Sequence, residues 1–474
     1  MKSWTSLVVG VFFLVAGPAM SEGTLRVGTW AEDISPSKLP ISLAGSMTDQ
    51  RGMTIHDPLF ARSLVLDNGQ SKLVFVLCDS CMIPRPLMDE AKKRIEESIG
   101  IPAANIIISA THSHSCPTAG EAFQSSASPE YPEELITGIV RAVVKSASIT
   151  SPAEIGFGSA SCPGEVFNRR WRMKPGSIPA DPFDLKNDVV QMNPPVGSPN
   201  LIEQAGATDP EVSLLVARSP QGAIRAVLAN YSLHYVGGIP ANAISADYFG
   251  EYARIMTNRL GSGKKSNAFL AMLTNGTSGD VNNIDFRQAR PPMEPFAQVK
   301  HVANEVANVS EKALKDVTFK DDVTLKSARK EIELGVRKPT AEEIARAKKI
   351  LAEAEGKPLT SLAQVYARET VLLADYPDTV KLWIQVDRIG SAGIVAIPCE
   401  VFTEIGLEIK AKSPLQPTFT IELANGYNGY LPTPRQHGWG GYETWRARSS
   451  YLEKDASTKI VETALELLKE VARD

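Results

Sequence analysis

Two imidazoles one residue apart, His112 and His114, close the run Ile106-Ile107-Ile108-Ser109-Ala110-Thr111 and open a polar stretch ending at Gly120. Three consecutive isoleucines suit a strand covered on both faces, and Pro117 and Gly120 prevent regular structure from continuing beyond it. If extended geometry persists to His114, both rings leave the same side of the chain, because strand side chains alternate with period two. His-x-His at a strand end fits two chemistries equally well. It can be half of a metal site built on neutral imidazole nitrogens, or a pair of loop histidines that only bond the backbone.

The surrounding pattern predicts what must position these groups. Leu59–Leu66 and Lys72–Leu77, joined by Asp67-Asn68-Gly69, read as a hairpin, and a helix over Pro86–Ser98 stops at Gly100. Tyr131–Ser148 reads as a second amphipathic helix and Glu154–Ala160 as a strand running toward Asn168-Arg169. Lys174–Thr208, rich in Pro, Gly and Asn, reads as a long surface excursion. A second hairpin, Val212–Arg218 with Ile224–Tyr231, delivers His234, and Asp247 is placed to cap a helix ending at Leu260. The strand Ala268–Leu273 ends in a polar loop containing Gly279-Asp280-Val281-Asn282, and Phe296–Leu314 reads as helix. Thr340 with Glu343 forms a capping box for a helix pair over 340–374, taken as an insertion. A third hairpin, Leu382–Ile389 with Ile394–Ile397, delivers Glu400; the strand Thr418–Leu423 precedes Tyr430, and a helix over Ala456–Val471 follows.

Composition excludes several classes. A 474-residue chain with 43% hydrophobic and 22% charged residues has a large core. A net charge of −4 without basic runs argues against nucleic acid or an anionic membrane surface as partner. Five cysteines, an odd number for this length, leave at least one thiol free and exclude a disulfide framework; Cys78 and Cys81 are expected to be buried packing. Lys2, the apolar run Leu7–Ala16 and the small residues Gly17, Pro18, Ala19 and Ser21 predict a signal peptide over residues 1–21. A secreted or periplasmic mature chain from Glu22, with no transmembrane segment, follows.

Several apolar strands thus end in polar segments. In α/β folds, ligand sites collect beyond the carboxyl ends of strands, so His112, His114, His234, Glu400 and Tyr430 are expected to share one crevice. Two imidazoles, a carboxylate and a phenol form a nitrogen and oxygen set suited to zinc, and three of the six histidines fall at these ends.

These residues carry a resemblance. Thr111-His112-Ser113-His114-Ser115, Asn168-Arg169, the strand ending in His234, Gly279-Asp280-Val281, Pro398-Cys399-Glu400, and Tyr430 followed by Tyr442-Glu443 resemble, in order, the motifs of the neutral ceramidases of the neutral/alkaline non-lysosomal type. The resemblance spans roughly Leu25 to Ala456. It implies an α/β catalytic domain over residues 22–474, with mixed β-sheets layered with helices, and a zinc-dependent hydrolase acting on an amide of a small-molecule or lipid N-acyl substrate. It implies Zn2+ held by His112, His234, Glu400 and Tyr430. His114 would be the general base or acid, with Arg169 and Tyr442 stabilising charge on the carbonyl oxygen.

Two departures bear on the substrate. The family's Gly-Asp-Val-Ser-Pro carries a functional serine where this chain has Asn282, an amide that can donate to an oxyanion but cannot act as nucleophile. The family's immunoglobulin-like C-terminal domain also has no expected counterpart here. An ester or N-acyl sugar hydrolase, or a non-catalytic lipid- or saccharide-binding relative, stays open beside the amidase. By residue type alone, Arg169 equally suits a plain salt bridge and Tyr442 core or rim packing, while Asn282 suits a turn better than catalysis.

Overall fold

The computed structural model describes residues 24–261 and 269–473; the expected signal peptide lies outside the described residues. Three sheets organise the chain. The first runs, in spatial order, Ile106–Ala110, Lys72–Cys78, Phe60–Asp67, Arg26–Asp33 and Ser151–Pro152. The second runs Leu270–Asn275, Ile224–Tyr231, Glu211–Arg218, Glu154–Ser161 and Thr318–Lys320. The third runs Leu325–Gly335, Thr379–Ile389, Ala392–Ile397 and Thr418–Glu422.

The alternation of each strand explains the layering. Leu64, Phe75 and Ile107 of the first sheet, Leu215, Leu228 and Met272 of the second, and Ile394, Phe419 and Ile421 of the third meet in one shared core. The opposite faces are buried as well: Val65, Val74 and Ile108 lie under the helices Arg85–Ile99 and Tyr131–Ser148. Val216 and Val227 lie under Asp247–Leu260 and Ala297–Leu314, and Val395 and Ile397 under Thr403–Lys412 and Ala456–Ala472. Strands covered on both faces need apolar residues at every position, and that is why they read as unbroken apolar runs.

In each sheet one pair of strands is parallel: Lys72–Cys78 with Ile106–Ala110, Ile224–Tyr231 with Leu270–Asn275, and Ala392–Ile397 with Thr418–Glu422. A parallel pair needs a crossover, and a helix lies between the two strands in every case. The carboxyl ends of both partners therefore leave the sheet on the same side. The first and third sheets are also joined edge to edge there, through Ala110 N to Leu423 O (3.2 Å) and Asn425 N to Ile108 O (2.8 Å), and the Asn230 side chain reaches from the second sheet to Thr420 O (3.0 Å). Three sets of strand-end loops are thus brought together.

The hairpins and the helices appear where the pattern put them, including the reciprocal Thr340–Glu343 cap. Several details differ, among them the strand Arg26–Asp33 and the helix Thr403–Lys412, neither of which the pattern announced. The excursion 174–208 is not structureless, since Val190–Met192 and Leu201–Gln204 flank Arg170–Met173 in a small sheet. Leu325–Gly335 is a long strand that the pattern did not announce. Asp247 begins its helix at φ +55, and its carboxylate accepts from Val236 N and Gly237 N as well as from Tyr248 N. It fastens the loop after His234 rather than capping the first helical turn. Among the described residues no helix is long and apolar enough to cross a membrane, and all five cysteines are free and buried.

Candidate metal centre and active site

The first sheet supplies His112. Its strand ends at Ala110, and His112 sits in the left-handed region at φ +69, held by His112 N to Ser80 O (2.9 Å). Strand alternation therefore does not aim His112 and His114, yet their Nε2 atoms lie 3.1 Å apart. Nδ1 of His112 is 2.7 Å from the Cys81 carbonyl oxygen. A carbonyl can only accept, so Nδ1 carries the proton and Nε2 presents a lone pair.

His234, from the second sheet, is set the same way. Its Nδ1 donates to Ser278 O at 3.0 Å, and its Nε2 is buried with no hydrogen-bond partner. Glu400 comes from the third sheet, where Glu400–Val401 pairs in parallel with Tyr430–Leu431, so that Glu400 and Tyr430 are register partners. Glu400 Oε1 accepts from the Tyr427 hydroxyl at 2.9 Å. Its Oε2 lies 3.3 Å from His112 Nε2 and 3.8 Å from His234 Nε2, and it too is buried without a hydrogen-bond partner.

A buried nitrogen lone pair and a buried carboxylate oxygen left unsatisfied side by side are costly, unless a cation stands between them. The ligand atoms of His112, His234 and Glu400 all fall within 4.8 Å of one another, so the residues present fit a bound metal. Cys81, His112 and His114 also group at that distance, but Nδ1 of His112 is already committed to the Cys81 carbonyl. The first group is the better cradle.

Electrostatics agree. Burial, followed by Arg169 and the neighbouring imidazoles, pushes His234 well below its ordinary value and keeps it neutral. Burial opposes ionisation of Glu400, but His112, Arg169 and the Tyr430 hydroxyl outweigh it and hold the carboxyl low. Burial also works against protonated His112, yet the Cys81 sulfur and Glu400 raise it well above the usual imidazole range.

His114 stands beside this group. One face stacks on Tyr235, with ring centroids 3.7 Å apart and planes 19° apart, and the other lies against Gly45, where a Cβ would fall 2.3 Å from the His114 Cγ. Burial, then His112 and Arg169, push it well below the normal value. A neutral, sterically clamped imidazole results.

Arg169 follows the short strand Phe167–Asn168, which pairs with Val281–Asn282. Its Nη2 donates to the Tyr430 hydroxyl (3.1 Å) and to Gly279 O (2.9 Å), while its Nε meets Glu443 Oε1 at 3.0 Å. Arg169 thus makes the plain salt bridge that its residue type suits, to Glu443, and also donates to the Tyr430 hydroxyl. Tyr442 is half-buried, with its ring 5.7 Å from that of Tyr430 in a T-shaped contact. The Asn282 side chain does not point at the histidine cluster through any hydrogen bond. Its Oδ1 accepts from Ile284 N, and its Nδ2 donates to Asn193 Oδ1 at 2.8 Å.

Sequence reasoning missed the supporting groups: the Cys81 and Ser278 carbonyls, Tyr427, Gly45, Tyr235, and Glu422 beneath Ser278. Only Tyr235, adjacent to His234, left any signal in the sequence. A cavity of about 730 Å³ lined by Trp30, His56, Phe60, Arg254 and Lys300 contains none of the site residues. Chemistry rather than cavity size locates the site.

Solved ceramidase structures share this fold. The chain superposes on the neutral ceramidase from Pseudomonas aeruginosa with a TM-score of 0.71 at 18% identity, covering 94% of this chain and 75% of that one. It superposes on a ceramidase complexed with C2 with a TM-score of 0.71 at 16% identity, covering 95% and 75%. Residues 25–286, more than half of the chain, match the sequence model of the N-terminal part of the neutral/alkaline non-lysosomal ceramidases, and the chain belongs to that family.

Proposed function

We propose that the protein is an exported zinc-dependent hydrolase that cleaves the amide bond of a small-molecule or lipid N-acyl substrate. The observation that carries this is the unsatisfied pair, His234 Nε2 and Glu400 Oε2, facing the lone pair of His112 Nε2. His112, His234, Glu400 and Tyr430 would hold the zinc, a donor set of two nitrogens and two oxygens. Zinc in such a site supplies Lewis acidity toward water and toward a carbonyl oxygen.

The chain's own residues do the rest. His114, kept neutral, takes the proton from the attacking water at Nε2 and returns it to the leaving nitrogen. Gly45 and Tyr235 hold its ring for that transfer. Arg169 keeps positive charge beside the position where the carbonyl oxygen becomes negative, and the Tyr442 hydroxyl donates there. Asn282 has a second amide N–H beyond the one bonded to Asn193, and this is the donor that would serve the same oxygen. An acyl-enzyme is not required, since Asn282 stands where the family has serine.

That same asparagine favours a second reading, in which the substrate is an ester or an N-acyl sugar, or the protein binds a lipid or saccharide without turnover. A panel of N-acyl sphingoid, N-acyl sugar and ester substrates, run before and after chelation, separates the readings. Amide turnover that is lost on chelation and restored by zinc is expected. Turnover of no amide, or turnover indifferent to chelation, would overturn the proposal.

A further inference from the structure

The geometry points to Glu422 as a positioning residue that braces two ligands of the metal site, His234 and Glu400, from beneath. The inference rests on the metal-site reading above and concerns how that site is held.

Glu422 is the last residue of Thr418–Glu422, fully buried, in parallel register with Ile397. Its Oε2 accepts from Val401 N at 2.7 Å and from Ser278 N at 3.2 Å, and its Oε1 accepts from the Ser278 hydroxyl at 2.5 Å. A carboxyl in the interior is costly unless hydrogen-bonded; here the donors are two backbone amides and one hydroxyl. Those donors belong to the two segments that present the ligands. Val401 follows Glu400 directly, and Ser278 offers the carbonyl that fixes the proton on His234 Nδ1.

The two segments are otherwise in close contact. Gly279 N donates to Val401 O at 2.8 Å, and a Cβ on Gly279 would fall 2.5 Å from Glu400 O. Thr403 Oγ1 donates to Thr277 O at 3.1 Å and to Asp280 Oδ1 at 2.9 Å. Glu422 is the side chain that reaches both sides of this seam at the level of the ligands. Ser278, whose hydroxyl lies beside His234, is thereby committed to Glu422 and acts as a link, not as a nucleophile. Its Oγ is 3.4 Å from His234 Nδ1, the ring nitrogen opposite the one left for a metal.

Groups that orient ligands without touching the metal typically contribute 10- to 100-fold to affinity. The test is competitive chelator titration of zinc on the purified full chain, for the parent, Glu422→Ala, Glu422→Gln, Ser278→Ala, and Leu228→Ala as a core control. Glu422→Ala is expected to bind zinc about 10- to 100-fold more weakly. Ser278→Ala should show a smaller loss. Glu422→Gln keeps an acceptor for both amides and should stay closer to the parent than Glu422→Ala. Leu228→Ala should lower the unfolding temperature and leave affinity unchanged. Glu422→Ala with parental affinity, or with a loss no larger than that of Leu228→Ala, would overturn the inference. Should Glu422→Ala fail to fold, Ser278→Ala with parental affinity overturns it equally. A parent that binds no zinc overturns the metal-site reading itself.

Discussion

Replacing Gly45 by alanine tests whether the placement of His114 matters for turnover. Gly45 has φ +97, and an added Cβ would lie 2.3 Å from Cγ and 2.5 Å from Nδ1 of His114. Ordinary carbon contacts begin near ~3.5 Å, so something must yield by about 1 Å. The glycine side is poorly placed to yield, because Ala44 N donates to Cys116 O at 3.1 Å and Met47 O accepts from Gln124 Nε2 at 2.8 Å. The ring cannot simply retreat either, since Tyr235 stacks on its far face at 3.7 Å. Tilting of the imidazole is the accessible response. A displacement of that size costs on the order of 10²-fold in turnover, and the left-handed alanine costs about 1–3 kcal/mol in stability. His112, His234 and Glu400 are not touched, so metal content should be retained. The assay compares kcat/KM on an N-acyl amide, bound zinc and unfolding temperature for parent and variant. A Gly45→Ala protein that keeps its zinc, loses stability and hydrolyses at the parental rate would refute the assignment of His114 as proton carrier.

Other outcomes follow from the same geometry. Glu443 is fully buried between Arg169 Nε (3.0 Å) and Arg170 Nη1 (2.5 Å), so Glu443→Ala leaves two buried guanidiniums and should cost about 3–5 kcal/mol by denaturant unfolding; a loss below about 1 kcal/mol would contradict the burial. Asn282→Ala should lower turnover by on the order of 10²-fold if its amide serves the carbonyl oxygen, and an unchanged rate would leave it only the turn-forming role. Lys92, buried against Asn425 Oδ1 at 2.7 Å, is pushed down to about 7 from 10.5 by desolvation. The unfolded chain then binds more protons between those values, so stability should rise as pH climbs through that window. Lys92→Met should abolish the rise in urea midpoint, and parallel curves for the two proteins would count against the assignment.

What the sequence made legible follows from how local its causes are. The hairpin around Asp67-Asn68-Gly69, the helix Tyr131–Ser148 and the Thr340–Glu343 cap are dictated by neighbours a few residues away, and they appear as read. The grouping of His112, His234 and Glu400 was legible because each follows a buried strand and carboxyl ends cluster. Leu325–Gly335 was not, because its charged residues face outward along much of its length while Thr379–Ile389, far along the chain, fixes it. His112 was aimed by a left-handed backbone and the Cys81 carbonyl, neither of which side-chain alternation reveals. Glu422 was invisible for a related reason, since its partners are backbone amides brought in by other strands.

His112, His234, Glu400 and Tyr430 are proposed to hold one zinc ion. Metal analysis of the purified parent beside His234→Ala addresses this most directly. About one zinc per chain in the parent, and a strong loss in the variant, is the expected result. A His234→Ala protein, folded and carrying as much zinc as the parent, would contradict it.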